Sequence, residues 1–156
     1  MAVDYGKVRI GLALASQEGG VAQPLATLDR INRNEDMRRL RELIRSHGVK
    51  QVVVGLPLRL DGTRGEMAEE AERFAIRVRK QIGVPVETMD ERLTSWEAER
   101  LLEEEFGRKR REDAAMQKKK KTEKIGVDAV AAAVILREYL SRSAPEHAMK
   151  DVHKER

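Results

Sequence analysis

The first fifteen residues constrain the fold more than any other stretch. Residues 2–5 and 9–15 read as two strands joined by a tight turn at Gly6-Lys7. The second run has no polar face: Ile10, Leu12 and Leu14 alternate with Gly11, Ala13 and Ala15. A strand apolar on both faces must be covered on both sides. These strands therefore belong inside a sheet with helices above and below. Met1 stands only three residues before Asp4, which points to a first strand beginning further upstream.

The rest of the chain supplies the cover. Residues 21–28 form a weaker third strand, interrupted by Pro24. Residues 35–46 carry Met37, Leu40, Leu43 and Ile44 at helical spacing, and His47-Gly48 ends that helix. Residues 51–56 are a compact apolar strand and 57–65 a loop. A helix over 66–82 places Met67, Ala71, Phe74, Ala75 and Val78 on one face. Residues 84–89 are the next strand, and Thr94 or Ser95 caps a helix to about residue 105. Residues 106–124 are rich in charge and poor in apolar groups, which predicts a mobile basic loop. A last helix follows over 126–141, then a polar, fraying tail over 142–156. A β-meander followed by alternating α and β elements implies an α/β fold, with a mixed five-stranded sheet and helices on both faces. With 156 residues there is room for one core, here a single domain over 1–141.

Against this frame, three carboxylate positions stand out. Asp4 ends the first strand, Asp90-Glu91 ends another, and Asp128 opens the last strong helix. In open α/β sheets, ligands bind beyond the carboxyl ends of the parallel strands, where Asp4, the Leu56-Pro57 loop and Asp90-Glu91 all fall. An acid at the mouth of an apolar element costs desolvation energy unless a cation or hydrogen bonds compensate it. A strand-end Asp often caps the next turn, but Gly6 and Lys7 already supply the turn chemistry there. Asp128 suits a first helical turn through the helix dipole. Its stripe of Ala131, Ala132, Ile135 and Tyr139 also lets that helix pack close to the sheet and hold the carboxylate at the rim. Asp90 and Glu91 are adjacent, so a strand turns them to opposite faces and only one can share a metal with Asp4. Three acids converging from distant segments point to a divalent-metal site for cutting phosphodiester bonds.

Composition narrows the alternatives. There are no cysteines, so disulfides, thiolate zinc sites and Cys nucleophiles are excluded, and a reducing cytoplasm is the expected location. No apolar run reaches the length of a membrane span, and the N-terminus lacks a signal-peptide pattern. His47, His147 and His153 lack partners at metal spacing. Gly55-Leu56-Pro57-Leu58 with Asp61-Gly62 and Gly65 resembles a phosphate-cradling loop, yet lacks the Gly-Lys-Ser/Thr ending of an ATP or GTP site, so no nucleotide cofactor is expected. Net charge is only +4, but Arg108–Arg111 and Lys118–Lys121 share one segment, and such a basic block suits a polyanion. The main rival is a nucleic-acid-binding protein that cleaves nothing.

Four segments in order, Asp4-Tyr5-Gly6 with Arg9 to Ala13, Val54 to Leu58 with Asp61-Gly62, Asp90 to Ser95, and Val127 to Ala132, resemble the YqgF (RuvX) family of Holliday-junction resolvase-like nucleases. The resemblance runs from the first residue to about Leu140. It implies an RNase H-like fold whose acids bind Mg²⁺ or Mn²⁺, and a role in maturing the 5′ end of pre-16S rRNA beside an older resolvase assignment. Carried over by position, it implies Asp4, Glu91 and Asp128 as catalytic metal ligands, with Asp90 the reserve for the middle place. With that site, Gly6, Lys7, Arg9, Arg92 and the basic block's Lys118, Lys119, Lys120 and Lys121 are expected to hold phosphates of a structured nucleic acid, pre-16S rRNA or branched DNA. The position before Arg9, often basic in the family, is Val8 here, with Lys7 one place earlier. A monomer suffices for a single cut, whereas a twofold homodimer suits a junction cut twice.

Overall fold

A computed structural model describes residues 1–16, 20–93, 100–108 and 126–151. Five strands form one sheet: β1 (Ala2–Tyr5), β2 (Arg9–Leu14), β3 (Gln23–Asp29), β4 (Val52–Leu56) and β5 (Val86–Asp90). Their order is β3-β2-β1-β4-β5. The meander β1-β2-β3 is antiparallel, while β1, β4 and β5 run parallel. The Met1 ammonium donates to the Gln51 carbonyl at 2.9 Å, which ties the start of β1 to the start of β4.

Strand alternation sorts the core into two layers. Val3, Tyr5, Ile10, Leu12, Val52 and Val54 face α1 (Arg33–Ser46) and α2 (Glu66–Ile82), where they meet Met37, Leu40, Phe74 and Val78. Ala2, Ala13, Val53 and Met89 face α4 (Val127–Asp151). Leu102 and Phe106 of α3, the helix carrying residues 100–108, join that second cluster. The mixed sheet with helices on both faces is as the pattern of apolar residues requires.

Several boundaries differ, and β5 runs over Val86–Asp90 rather than 84–89. β3 starts at Gln23, and the β2–β3 register shifts between Leu12 and Ala13, where Pro24 faces Ala13. Proline has no N–H for the ladder, so pairing slips where it enters. Helix α3 continues through Arg108, into the stretch assigned to a loop, because Phe106 is buried in the core. The helical backbone of α4 runs on to Asp151, ten residues past the expected end at Ser141. The tail lacks apolar pattern but is rich in good helix formers, and propensity carries the helix on. The basic segment at 109–125, with Lys118–Lys121, lies outside the described residues, as do Thr94 and Ser95.

Candidate active site

Asp4 sits in a row that crosses the whole sheet. Thr27 faces Gly11, and Gly11 faces Asp4. On the other side, Ala2 faces Val53 and Val3 faces Val54. The same register carried one residue on sets Gly55 beside Asp4, and Gly55 faces Met89. Residues in register share a face, here the α4 face.

Both glycines flanking Asp4 make room for another acid. A Cβ on Gly11 would stand 1.9 Å from the Asp128 carbonyl oxygen and 2.8 Å from the Ala129 nitrogen. The first turn of α4 therefore lies directly on β2, which brings Asp128 to the edge of β1. Thr27 Oγ1 accepts the Gly126 N–H at 3.3 Å and fixes that end of the helix. A Cβ on Gly55 would stand 2.5 Å from Glu91 Oε1 and 2.7 Å from Ile135 Cδ1. Glu91 thus folds its carboxyl over β4, toward Asp4.

The electrostatics follow from this crowding. Burial, first, then the Asp4 charge and a hydrogen bond to Asp4, push Glu91 up to about 7. Asp4 is also raised, by burial and by the charge of Asp128, although its hydrogen bond with Glu91 works the other way. Both acids are thus pushed up, and the metal-free pair favours holding one proton between them, because two buried carboxylates cannot both ionise uncompensated. Asp128 is drawn aside, its Oδ2 taking a hydrogen bond from Arg9 Nε at 2.8 Å. Among the described residues, no three acid or histidine side chains stand ready as a metal shell.

The sequence candidates divide accordingly. Asp4 and Glu91 are joined, with Asp128 close enough to act on Asp4. Asp90 turns away. Its carboxylate takes the Arg92 N–H at 2.9 Å and the Arg92 guanidinium at 2.6–3.1 Å, which holds it below the usual carboxylate range. Arg92 also donates to the Leu60 carbonyl at 3.1 Å, tying the 57–65 loop to the site. Asp61 accepts from Thr63 within that loop, as in an ordinary Asx turn. Gly6 donates to the Arg9 carbonyl at 2.9 Å, closing a turn that leaves Lys7 exposed. A cleft of about 790 Å³ opens beside Arg9, Thr27, Gly126 and Asp128. Another cavity, of about 330 Å³ between Met1, Gln51 and Tyr139, lies at the far end of the sheet and holds none of the acids. Sequence reasoning missed Gly11 and Gly55 as space-makers, and Thr27 as an anchor. A glycine inside an apolar strand is the signal that could have found the first two.

Comparison with known proteins gives the chain's family and fold neighbours. Residues 1–142 match the family described as "RuvX: Holliday junction resolvase". A candidate pre-16S rRNA nuclease of Anaeromyxobacter sp. (strain K) is 44% identical over 145 residues, covering 93% of this chain and 98% of that protein. One of Moorella thermoacetica is 40% identical over 143 residues, covering 91% and 94%. Thermus thermophilus RuvC is similar in fold, with a TM-score of 0.52 at 14% identity over 90% of this chain and 94% of that one. From the match along residues 1–142 and the identity to these relatives, the chain belongs to the RuvX family.

Proposed function

We propose that this chain is a metal-dependent nuclease that hydrolyses phosphodiester bonds in structured nucleic acid, with maturation of the 5′ end of pre-16S rRNA as its task. The observation that carries this reading is the proton-sharing pair Asp4–Glu91 at the carboxyl edge of the sheet, with Asp128 alongside. The names of the relatives support the substrate. The family's own description supports a second reading, cleavage of branched DNA.

The donors fit a hard divalent cation. All three are carboxylates, and Asp4 and Glu91 share one proton where a cation would let both ionise. Asp4, Glu91 and Asp128 would hold Mg²⁺ or Mn²⁺, which prefer oxygen ligands. Bound there, such ions would stabilise the charge that builds on the phosphodiester and lower the pKa of the attacking water. The chain's own groups do the rest. Arg9 and Lys7 flank the site and present their cations to backbone phosphates. Arg92, oriented by Asp90, meets the strand on the β5 side. Lys118–Lys121 add sequence-independent attraction. One active site serves a monomer, and a homodimer would serve paired cuts.

The test is cleavage of a pre-16S rRNA fragment bearing its 5′ leader, beside a synthetic four-way junction, in Mg²⁺ and in Mn²⁺. Asp4→Asn should abolish cutting, and Glu91→Gln should cost about 10²-fold or more while Asp90→Asn costs about tenfold or less. No cleavage of either substrate by the unaltered chain would leave a binding protein.

A further inference from the structure

The face of the sheet opposite the acids carries a second concentration of charge at the same edge. Tyr5 follows Asp4 and so turns to the α1–α2 face. Its ring stacks on Phe74 with centroids 4.4 Å apart. The Arg30 guanidinium lies 4.7 Å from the Tyr5 centroid, and that of Arg77 lies 6.0 Å from the Phe74 centroid. Tyr5, Arg30 and Arg77 border a cleft of about 400 Å³ to which Lys7, Arg33 and Arg73 add their cations. Its acids are Glu66 and Glu70, so five cations face two carboxylates.

Much of this charge is uncommitted. Arg30 donates at 3.2 Å to the carbonyls of Gly6 and Lys7, which fixes it to the turn beside Asp4. Its Nε is buried without a hydrogen-bond partner, 3.6 Å from Asp36. Arg77 Nε is likewise buried and unpartnered. Among the described residues Arg73 pairs with Glu69, at 3.4 Å, with both side chains largely exposed. A guanidinium carries five N–H donors, so these arginines, held against the two rings, keep further donors for an acceptor arriving in the cleft. Phosphate oxygens suit them best, being anionic and matched to the guanidinium fork.

We propose that this cleft binds a second backbone phosphate of the nucleic acid whose scissile phosphate lies at Asp4. The strand would then bend over the Gly6-Lys7 turn, passing from one face of the sheet to the other. The inference rests on the nuclease reading and extends its binding surface.

The experiment is fluorescence anisotropy on the full chain in EDTA, which stops cleavage, over a series of salt concentrations. The probes are a labelled pre-16S rRNA fragment and a labelled four-way DNA junction. Arg33→Ala/Arg73→Ala removes two exposed cations from the cleft. Arg79→Ala/Arg137→Ala removes two exposed cations elsewhere. The cleft pair should weaken binding about 3- to 10-fold more than the distant pair, and lower the log–log salt slope by roughly 0.7–0.9 for the phosphate no longer held. Equal losses from both pairs would overturn the cleft and leave the nuclease reading standing. Full displacement of the probe by millimolar inorganic phosphate or a nucleoside monophosphate would overturn it too, in favour of a small phosphate ligand. Failure of the unaltered chain to bind either probe would remove both readings together.

Discussion

Asp4 owes its surroundings to two missing methyl groups. Gly11 admits the backbone of α4 and Gly55 admits the carboxyl of Glu91, and the two substitutions should differ in kind. Gly11→Ala drives a Cβ into helix backbone, which cannot rotate away, so it should cost about 1–3 kcal/mol or more of stability. In a thermal melt that is roughly 2–4 °C per kcal/mol. Gly55→Ala meets the Glu91 side chain and the Cδ1 end of the buried Ile135, which can shift where backbone cannot, so the melt should fall less than for Gly11→Ala. It should still cost about 10²-fold in cleavage, since the displaced carboxyl is the one that reaches Asp4. The proton held by that pair sets a pH dependence. Glu91 titrates near 7 in the fold, above its ordinary 4.5, so its stabilising contribution is fully present below pH 4.5 and is lost as pH rises through about 7. On the order of 2–3 kcal/mol should disappear from the metal-free protein over that window. Melts in EDTA between pH 4.5 and 8 will show it, and Glu91→Gln should flatten the curve. A pH-independent wild-type melt would mean that the pair does not share a proton.

At the level of elements, the site is a junction of β1, the end of β5 and the start of α4. The strands were legible from residue type alone, because Val52 to Leu56 and Ile10 to Leu14 have no polar face to give to water. So was the placement of Asp4 and Asp128 at element ends. What the chain order could not reveal was which neighbour each acid would meet. The choice between Asp90 and Glu91 depends on where β5 stops: it ends at Asp90, whose side chain serves the Arg92 turn and leaves Glu91 to fold back over Gly55. The pairing of Arg9 with Asp128, 119 residues away, was equally invisible. Local pattern reports burial and period, not long-range partners. That pairing also has a measurable effect. Arg9 competes with any cation for Asp128, so Arg9→Ala should tighten Mn²⁺ binding by up to about fivefold in calorimetry without nucleic acid. The same substitution should weaken nucleic-acid binding. Unchanged Mn²⁺ affinity would show that Arg9 and the metal do not compete.

Across the whole molecule, positive charge surrounds one edge of the sheet: Arg9 beside α4, Lys7 at the turn, Arg30 and Arg77 on the opposite face, and Arg92 by β5. The four lysines at 118–121, outside the described residues, precede Asp128 in the chain. Replacing all four with alanine should leave the melt unchanged and lower the salt slope of nucleic-acid binding by roughly 0.7–0.9 for each phosphate they neutralise. An unchanged slope would assign them to solubility. The acids also come from widely spaced points of the chain: Asp4 from the first strand, Glu91 from beyond the middle, and Asp128 from the helix that closes the sheet's second face. Domains fold as units while they are synthesised, N-terminal part first. A nascent chain that has exposed only its first hundred residues has Asp4 and Glu91 but neither Asp128 nor the helix that covers β1 and β2. On the proposed site, such a chain would be unarmed. The ribosome making this protein is built from the same class of RNA that the finished protein is proposed to trim, and it has released most of the chain before the third carboxylate can take its place.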